Sequence, residues 1–275
     1  MTGFFNYIPR RSPVHGLTGA SKLAGLFLLS LASMITYDTR LLAALTVLAA
    51  VSFSLSRIRL REVKILLLFT FGFMLLNNLF IYVFQPEQGV ALYGTRHVIG
   101  HIAGRYTITQ EQLFYHLNVV LKYLSTLPLI ILFVSTTDPS EFAASLNRIG
   151  VSYKIAYAVA LTLRYIPDIQ REYRDISISL QARGVEMTRK EPFFQRIRNV
   201  ATTLFPLILT SMQRITVISN AMELRSFGKN RKRTWYRAKP FRAGDYAVFA
   251  LGGAAMAAAV LLIVLNGSRF YNPFS

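Results

Sequence analysis

Two short stretches of this 275-residue sequence set an arginine between small or apolar neighbours: Ala182-Arg183-Gly184 and Leu224-Arg225-Ser226. Each closes the same spacing, a serine (Ser177 or Ser219), five residues, the arginine, then a small residue. Guanidinium is a planar fork of donors that binds a carboxylate through two parallel hydrogen bonds. An exposed arginine at a helix end is therefore suited to entering a groove lined with acids. Two such ends suggest a partner with two equivalent grooves, which means a dimer. Taken singly, either arginine is also a favourable cation at a helix C-terminus and needs no partner.

Other groups could do different chemistry. His97 and His101 are four apart and could share a helix face as metal ligands, with His116 and Glu111 further along. No third ligand stands at a familiar spacing, so no metal site is expected. Asp168 and Glu172 are also four apart, but Arg164, Arg171 and Arg174 surround them, and helix-surface ion pairing accounts for them. The chain has no cysteine, which excludes disulfides, thiolate metal sites and cysteine nucleophiles. Gly16 to Lys22 has glycines and a lysine at the wrong spacing for a phosphate-binding loop, so any ATP would be handled by a partner. No cofactor is called for. An integral-membrane enzyme built on these histidines and carboxylates is the competing class; its isolated chain would show activity.

The elements that must position these groups are hydrophobic. With 53% apolar and 16% charged residues, against about 25% charged in soluble domains, the chain reads as an all-α, polytopic membrane protein. Apolar runs at 23–36 and 41–55 form a tight hairpin, each reaching about 17 residues, the lower limit for spanning. Val63 to Phe84 is the strongest span, and its Asn77 and Asn78 suit hydrogen bonding to a neighbouring helix. Residues 85–112, with Gly89, Gly94, Gly100 and Gly104, read as a long loop with at most one short helix. A fourth span runs from Leu113 to Val134, kinked at Pro128, with Lys122 either functional or snorkelling to the interface. Gly244 to Asn266 is a fifth, whose Gly252-Gly253 pair allows close helix packing.

Residues 137–243 hold no clean span. Asp138-Pro139-Ser140-Glu141 opens a helix, a second starts at Tyr153, and Pro167 starts a third with Ile169, Tyr173, Ile176 and Leu180 on one face. That helix stops at Gly184. Another follows Pro192, and Pro206 kinks it or begins a new one with Ile208, Met212, Ile215, Ile218 and Met222 aligned. A basic run of Lys229, Arg231, Lys232 and Arg233 comes next.

The formal charge of +18 is placed unevenly. Four Lys and Arg lie in 57–64 and 19, against eight acids, in 137–243, whereas 85–112 has two of each sign. The positive-inside rule puts the N-terminus and 137–243 in the cytoplasm and 85–112 outside. The cations then gather against an inner membrane face and attract anionic lipid, which weakens the case for nucleic acid, and no nucleic-acid partner is expected. The expected organisation is a membrane region at 1–136, a cytoplasmic region of amphipathic helices at 137–243, and a last span with its tail at 244–275.

Several pieces in order resemble one family: Ser12-Pro13-Val14-His15 with Lys22-Leu23, Thr136-Thr137-Asp138-Pro139, Leu161-Thr162-Leu163-Arg164-Tyr165-Ile166-Pro167, Gln181-Ala182-Arg183-Gly184, and Asn220-Ala221-Met222-Glu223-Leu224-Arg225-Ser226-Phe227-Gly228. Together they are similar to the transmembrane T component of energy-coupling-factor transporters, the CbiQ-like family, over nearly the whole chain. The resemblance implies a non-catalytic subunit that links two cytoplasmic ABC ATPase subunits to a small membrane S component capturing a vitamin, related micronutrient or transition-metal ion. It also implies that Ala182, Arg183, Gly184 and Leu224, Arg225, Ser226 end two coupling helices, each arginine docking on one ATPase. The second end departs from the family's Ala-Arg-Gly pattern, with leucine and serine at its flanks.

Overall fold

A computed structural model describes Arg10, residues 12–103, 106–185, 192–230, Trp235 and residues 239–274. Arg11, Gly104 and the basic residues Arg231, Lys232 and Arg233 lie outside the described residues. The described chain is almost wholly helical: α1 (Pro13–Gly16), α2 (Gly19–Ile35), α3 (Thr39–Leu55), α4 (Lys64–Phe84), α5 (Gln88–Tyr93), a hairpin of β1 (Val98–Ala103) and β2 (Tyr106–Thr109), then α6 (Gln110–Thr136), α7 (Pro139–Arg148), α8 (Tyr153–Ala182), α9 (Phe193–Leu224) and α10 (Ala243–Asn266). Two compact units result, one of residues 1–138 with 239–275, the other of residues 139–238.

In the first unit α2, α3, α6 and α10 share a core of Leu29, Ala32, Leu45, Ala49, Leu129 and Ala259. Small residues let α2 and α10 approach: a Cβ on Gly25 would lie 2.7 Å from Val248 Cγ1, and one on Gly252 would lie 2.9 Å from Leu28 Cδ1. Gly253, by contrast, faces open space, so only the first glycine of the pair serves this contact. Helix α4 packs on α6 and buries only Met74; its exposed Ile65, Phe69 and Phe84 suit lipid. Asn78, rather than the asparagine pair, crosses to α6, its Oδ1 lying 2.9 Å from His116 Nδ1. Lys122 turns to the end of α2, donating to the Met34 carbonyl at 3.0 Å with its ammonium 3.2 Å from the Tyr37 ring centre. Cation–π contact of this kind stabilises a partly desolvated ammonium.

Each end of this bundle is tied. At one end, Tyr37 N–H donates to the Arg269 carbonyl (2.8 Å), Phe270 stacks on Tyr37, and Phe274 packs on Tyr93 and Phe114. The stretch expected as a loop carries α5 and the β-hairpin there, because Glu111, fully buried, gathers His97 N–H (3.0 Å), His97 Nδ1 (2.6 Å) and Thr95 Oγ1 (3.0 Å). At the other end Arg10 pairs with Glu62 at 2.6 Å and Lys239 Nζ donates to the His15 carbonyl at 3.3 Å. There too lies a buried knot on Asp245. Its Oδ1 accepts from Thr18 N–H (2.8 Å), Thr18 Oγ1 (3.0 Å) and Ser21 Oγ (2.5 Å), and its Oδ2 from Arg242 N–H (2.7 Å). One carboxylate thus ties the N-termini of α2 and α10 together. Lys22, also buried, donates to the Thr136 carbonyl at 2.9 Å, holding the end of α6 where the chain leaves for the second unit.

Among the described residues four helices are long and apolar enough to cross a membrane: α4, α6, α10 and, unexpectedly, Ile197–Leu224 of α9. The first hairpin stays at the lower limit for spanning, α2 and α3 each having 17 residues. In the second unit neither Pro167 nor Pro206 starts a helix; each lies inside a continuous one, α8 and α9 respectively. An interior proline costs roughly 3 kcal/mol. Around Pro167, Tyr165, Ile166 and Ile169 line a groove shared with α9, with Ile166 and Ile169 still 38% and 39% exposed.

Candidate functional site

The two arginine-bearing ends are the same structure built twice. At the end of α8, Val185 N–H bonds the Leu180 carbonyl and Gly184 N–H bonds that of Gln181, both at 3.0 Å. At the end of α9, Phe227 N–H bonds the Met222 carbonyl (3.0 Å) and Ser226 N–H that of Glu223 (2.8 Å). This nested pair is the Schellman termination, which needs a left-handed residue just beyond the cap. Gly184 takes that conformation at φ 87°, and Ser226 takes it at φ 53°. The serine therefore changes the cost of the turn and not its shape. Ala182, Arg183, Gly184, Leu224, Arg225 and Ser226 are all exposed, Leu224 by 87%.

A left-handed L-residue costs roughly 1–2 kcal/mol, a penalty glycine escapes. Ser226→Gly should accordingly stabilise the end of α9 by about 1 kcal/mol and slow amide hydrogen exchange at Ser226 and Phe227 about fivefold. Exchange left unchanged would mean that Ser226 carries no strain.

The surroundings of the two ends differ. Phe227 sits 4.7 Å, centre to centre, from Tyr157 and 5.6 Å from Tyr153 at the start of α8. Trp235 lies tilted against Tyr153 at 5.5 Å and donates its indole N–H to Asn147 Oδ1 at 3.1 Å. The end of α9 is thus buttressed by the beginning of α8, which makes the two helices antiparallel. Between them runs a groove of about 420 Å³, lined by Leu161, Tyr165, Ile166, Ile169, Ile215, Ile218 and Met222 among others. Arg214 crosses it to Glu172 at 2.7 Å. The other face of α9 leaves Met212 60% and Val217 69% exposed.

Of the groups considered for catalysis, His97 and Glu111 are brought together, at 2.6 Å. His97 is engaged by buried Glu111, His116 by Asn78 and Gln112, and His101 lies on exposed β1. Among the described residues no three His, Cys, Asp or Glu converge as metal ligands. Asp168 pairs along its own helix with Arg171 at 3.7 Å, as helix-surface pairing predicts. Glu172 does not: its partner is across the groove, a contact that spacing within one helix could not reveal.

Apolar helices tied at both ends, with an antiparallel amphipathic pair inserted between α6 and α10, define a multi-pass helical membrane protein that presents two matched arginine ends. The chain belongs to the CbiQ family, whose model, described as cobalt transport protein, matches residues 10–236. It is similar to proteins named energy-coupling factor transporter transmembrane protein EcfT. That of Bacillus subtilis is 23% identical over 96% of both chains. That of Bacillus selenitireducens is 26% identical, covering 92% of this chain and 94% of its own. The protein from Exiguobacterium sibiricum is 26% identical over 76% of this chain and 74% of its own. Multi-pass insertion in a prokaryotic cell membrane follows from the family and the apolar helices together.

Proposed function

We propose that this chain is the energy-coupling transmembrane component of an importer, working in a complex rather than as an enzyme. Arg183 and Arg225 each dock in an acidic groove of one of two cytoplasmic ABC ATPase subunits. The observation that carries this reading is the repeated helix end: one termination, built from different residues, presents two arginines in the same way. A lone cation complementing a helix dipole would not require that match.

The membrane region is residues 1–136, the coupling region 137–243, and the last span with its tail 244–275. The distribution of Lys and Arg puts the coupling region in the cytoplasm. Although α9 is apolar enough to span, its antiparallel partner α8 carries Arg164, Asp168, Arg171, Glu172, Arg174 and Asp175 in its middle. Each such charge at the bilayer centre costs about 2.5–3.5 kcal/mol or more, so the pair lies along the inner membrane face. There the exposed apolar side of α9 meets lipid and a small membrane S component, which selects the vitamin, related micronutrient or transition-metal ion. ATP-driven closure of the ATPase pair shifts the two arginine ends relative to one another, and the apolar faces pass that shift to the S component.

Gentle purification of the tagged chain from its native membranes, followed by mass spectrometry, tests the assembly. Two ATP-binding-cassette subunits, or two copies of one, together with a small hydrophobic protein are expected. A chain recovered alone, even after crosslinking, would overturn the reading.

A further inference from the structure

Apolar helix packing does not by itself fix how far one helix lies along another. Sliding α9 by one turn, about 5.4 Å, would still set isoleucine and leucine against isoleucine and tyrosine. The groove between α8 and α9 is of this kind, lined by such residues on both sides. Beside the small hydroxyl residues Thr162, Ser211 and Ser219, its charged contact is the ion pair of Arg214 Nη2 with Glu172 Oε2 at 2.7 Å, the side chains 37% and 19% exposed. The guanidinium also lies over the Tyr165 ring at 6.0 Å. A charge-assisted hydrogen bond loses its strength within an ångström or so, so this contact has a register where its surroundings have none. Its position is also particular: Glu172 is eleven residues before Arg183, and Arg214 is eleven residues before Arg225.

We propose that Glu172 and Arg214 are positioning residues that lock α8 against α9 and thereby set the separation of Arg183 from Arg225. With the helices antiparallel, each arginine stands about 16 Å from the ion pair in opposite directions, so the two ends are on the order of 30 Å apart. A slip of one turn changes that separation by about 5 Å, enough to misalign a ligand with two fixed docking points. The consequence for docking rests on the coupling role proposed above; the lock itself does not.

The absence of native cysteine allows spin labels at Ser179→Cys and Asn220→Cys, both exposed, in the full-length chain in lipid nanodiscs. A single narrow distance distribution is expected. Glu172→Arg should broaden it with a population shifted by about 5 Å, Glu172→Gln should broaden it less, and the exchange Glu172→Arg with Arg214→Glu should restore it. In native membranes, recovery of the ATPase subunits should fall about tenfold in the single reversal and return to within about twofold in the exchange. Equal membrane levels of all variants separate register from folding. A distribution left narrow by Glu172→Arg, or left broad by the exchange, overturns the lock. If the lock holds while reversal of Arg183 and Arg225 leaves ATPase recovery intact, the docking role fails alone.

Discussion

Reversing Arg183 and Arg225 together, both to glutamate, should abolish recovery of the ATPase subunits while leaving the chain in the membrane. The two side chains are exposed at helix ends whose backbone hydrogen bonds do not involve them, so both helix terminations keep those bonds in the variant. A buried arginine anchor at an interface is commonly worth 2 kcal/mol or more, and a like charge facing an acidic groove adds repulsion to the loss. The two ends belong to one helical pair, so each dock raises the effective concentration of the other. A single reversal should therefore lower recovery by about 10- to 100-fold, and the double by about 10³-fold or beyond detection. Pull-down from membranes, with protease accessibility as the control for insertion, measures both. Undiminished recovery with the double variant would place the ATPase contact elsewhere.

Asp245→Leu should be the most destabilising substitution in the membrane unit, costing about 3–5 kcal/mol. Leucine keeps the branch point but is bulkier than the carboxylate, and it leaves Thr18 N–H and Arg242 N–H without an acceptor in a site that is fully buried. Those groups, with the hydroxyls of Thr18 and Ser21, lose four hydrogen bonds at the point where α2 meets α10. Asp245→Asn keeps one carbonyl oxygen for Thr18 and Ser21 but turns an amide N–H₂ toward Arg242 N–H, for a cost of about 1–3 kcal/mol. Thermal unfolding in detergent should rank wild type above Asn above Leu. A leucine variant as stable as wild type would show that water reaches the site.

The parts legible in the sequence were those whose cause lies within a turn or two of chain. Hydrophobic runs located α4, α6 and α10 because hydropathy is a local property. Asp138-Pro139 announced the start of α7, and glycine announced the end of α8, because capping is settled by the residue at the cap. The same rule applied to Pro167 failed, and of the two readings of Pro206 only the new start failed, because a proline does not by itself decide whether the turns on both sides of it stay helical. The hairpin at 98–109 was missed because it is fastened by Glu111, Val98–Ala103 has no alternating pattern, and the alternation of Tyr106–Thr109 covers only four residues.

The candidate site divides the same way. Two arginines at equal spacing after a serine could be found by reading alone, and composition marked a helical multi-pass membrane protein. Only the tertiary structure decided that Ser226 reproduces the turn made by Gly184, since backbone conformation at a non-glycine residue is not written in its identity. It alone joined Glu172 to Arg214, 42 residues apart, and Asp245 to Thr18, 227 residues apart. Such contacts depend on where the chain returns to itself, which is a property of packing shared by whole helices and carried by no single stretch of sequence.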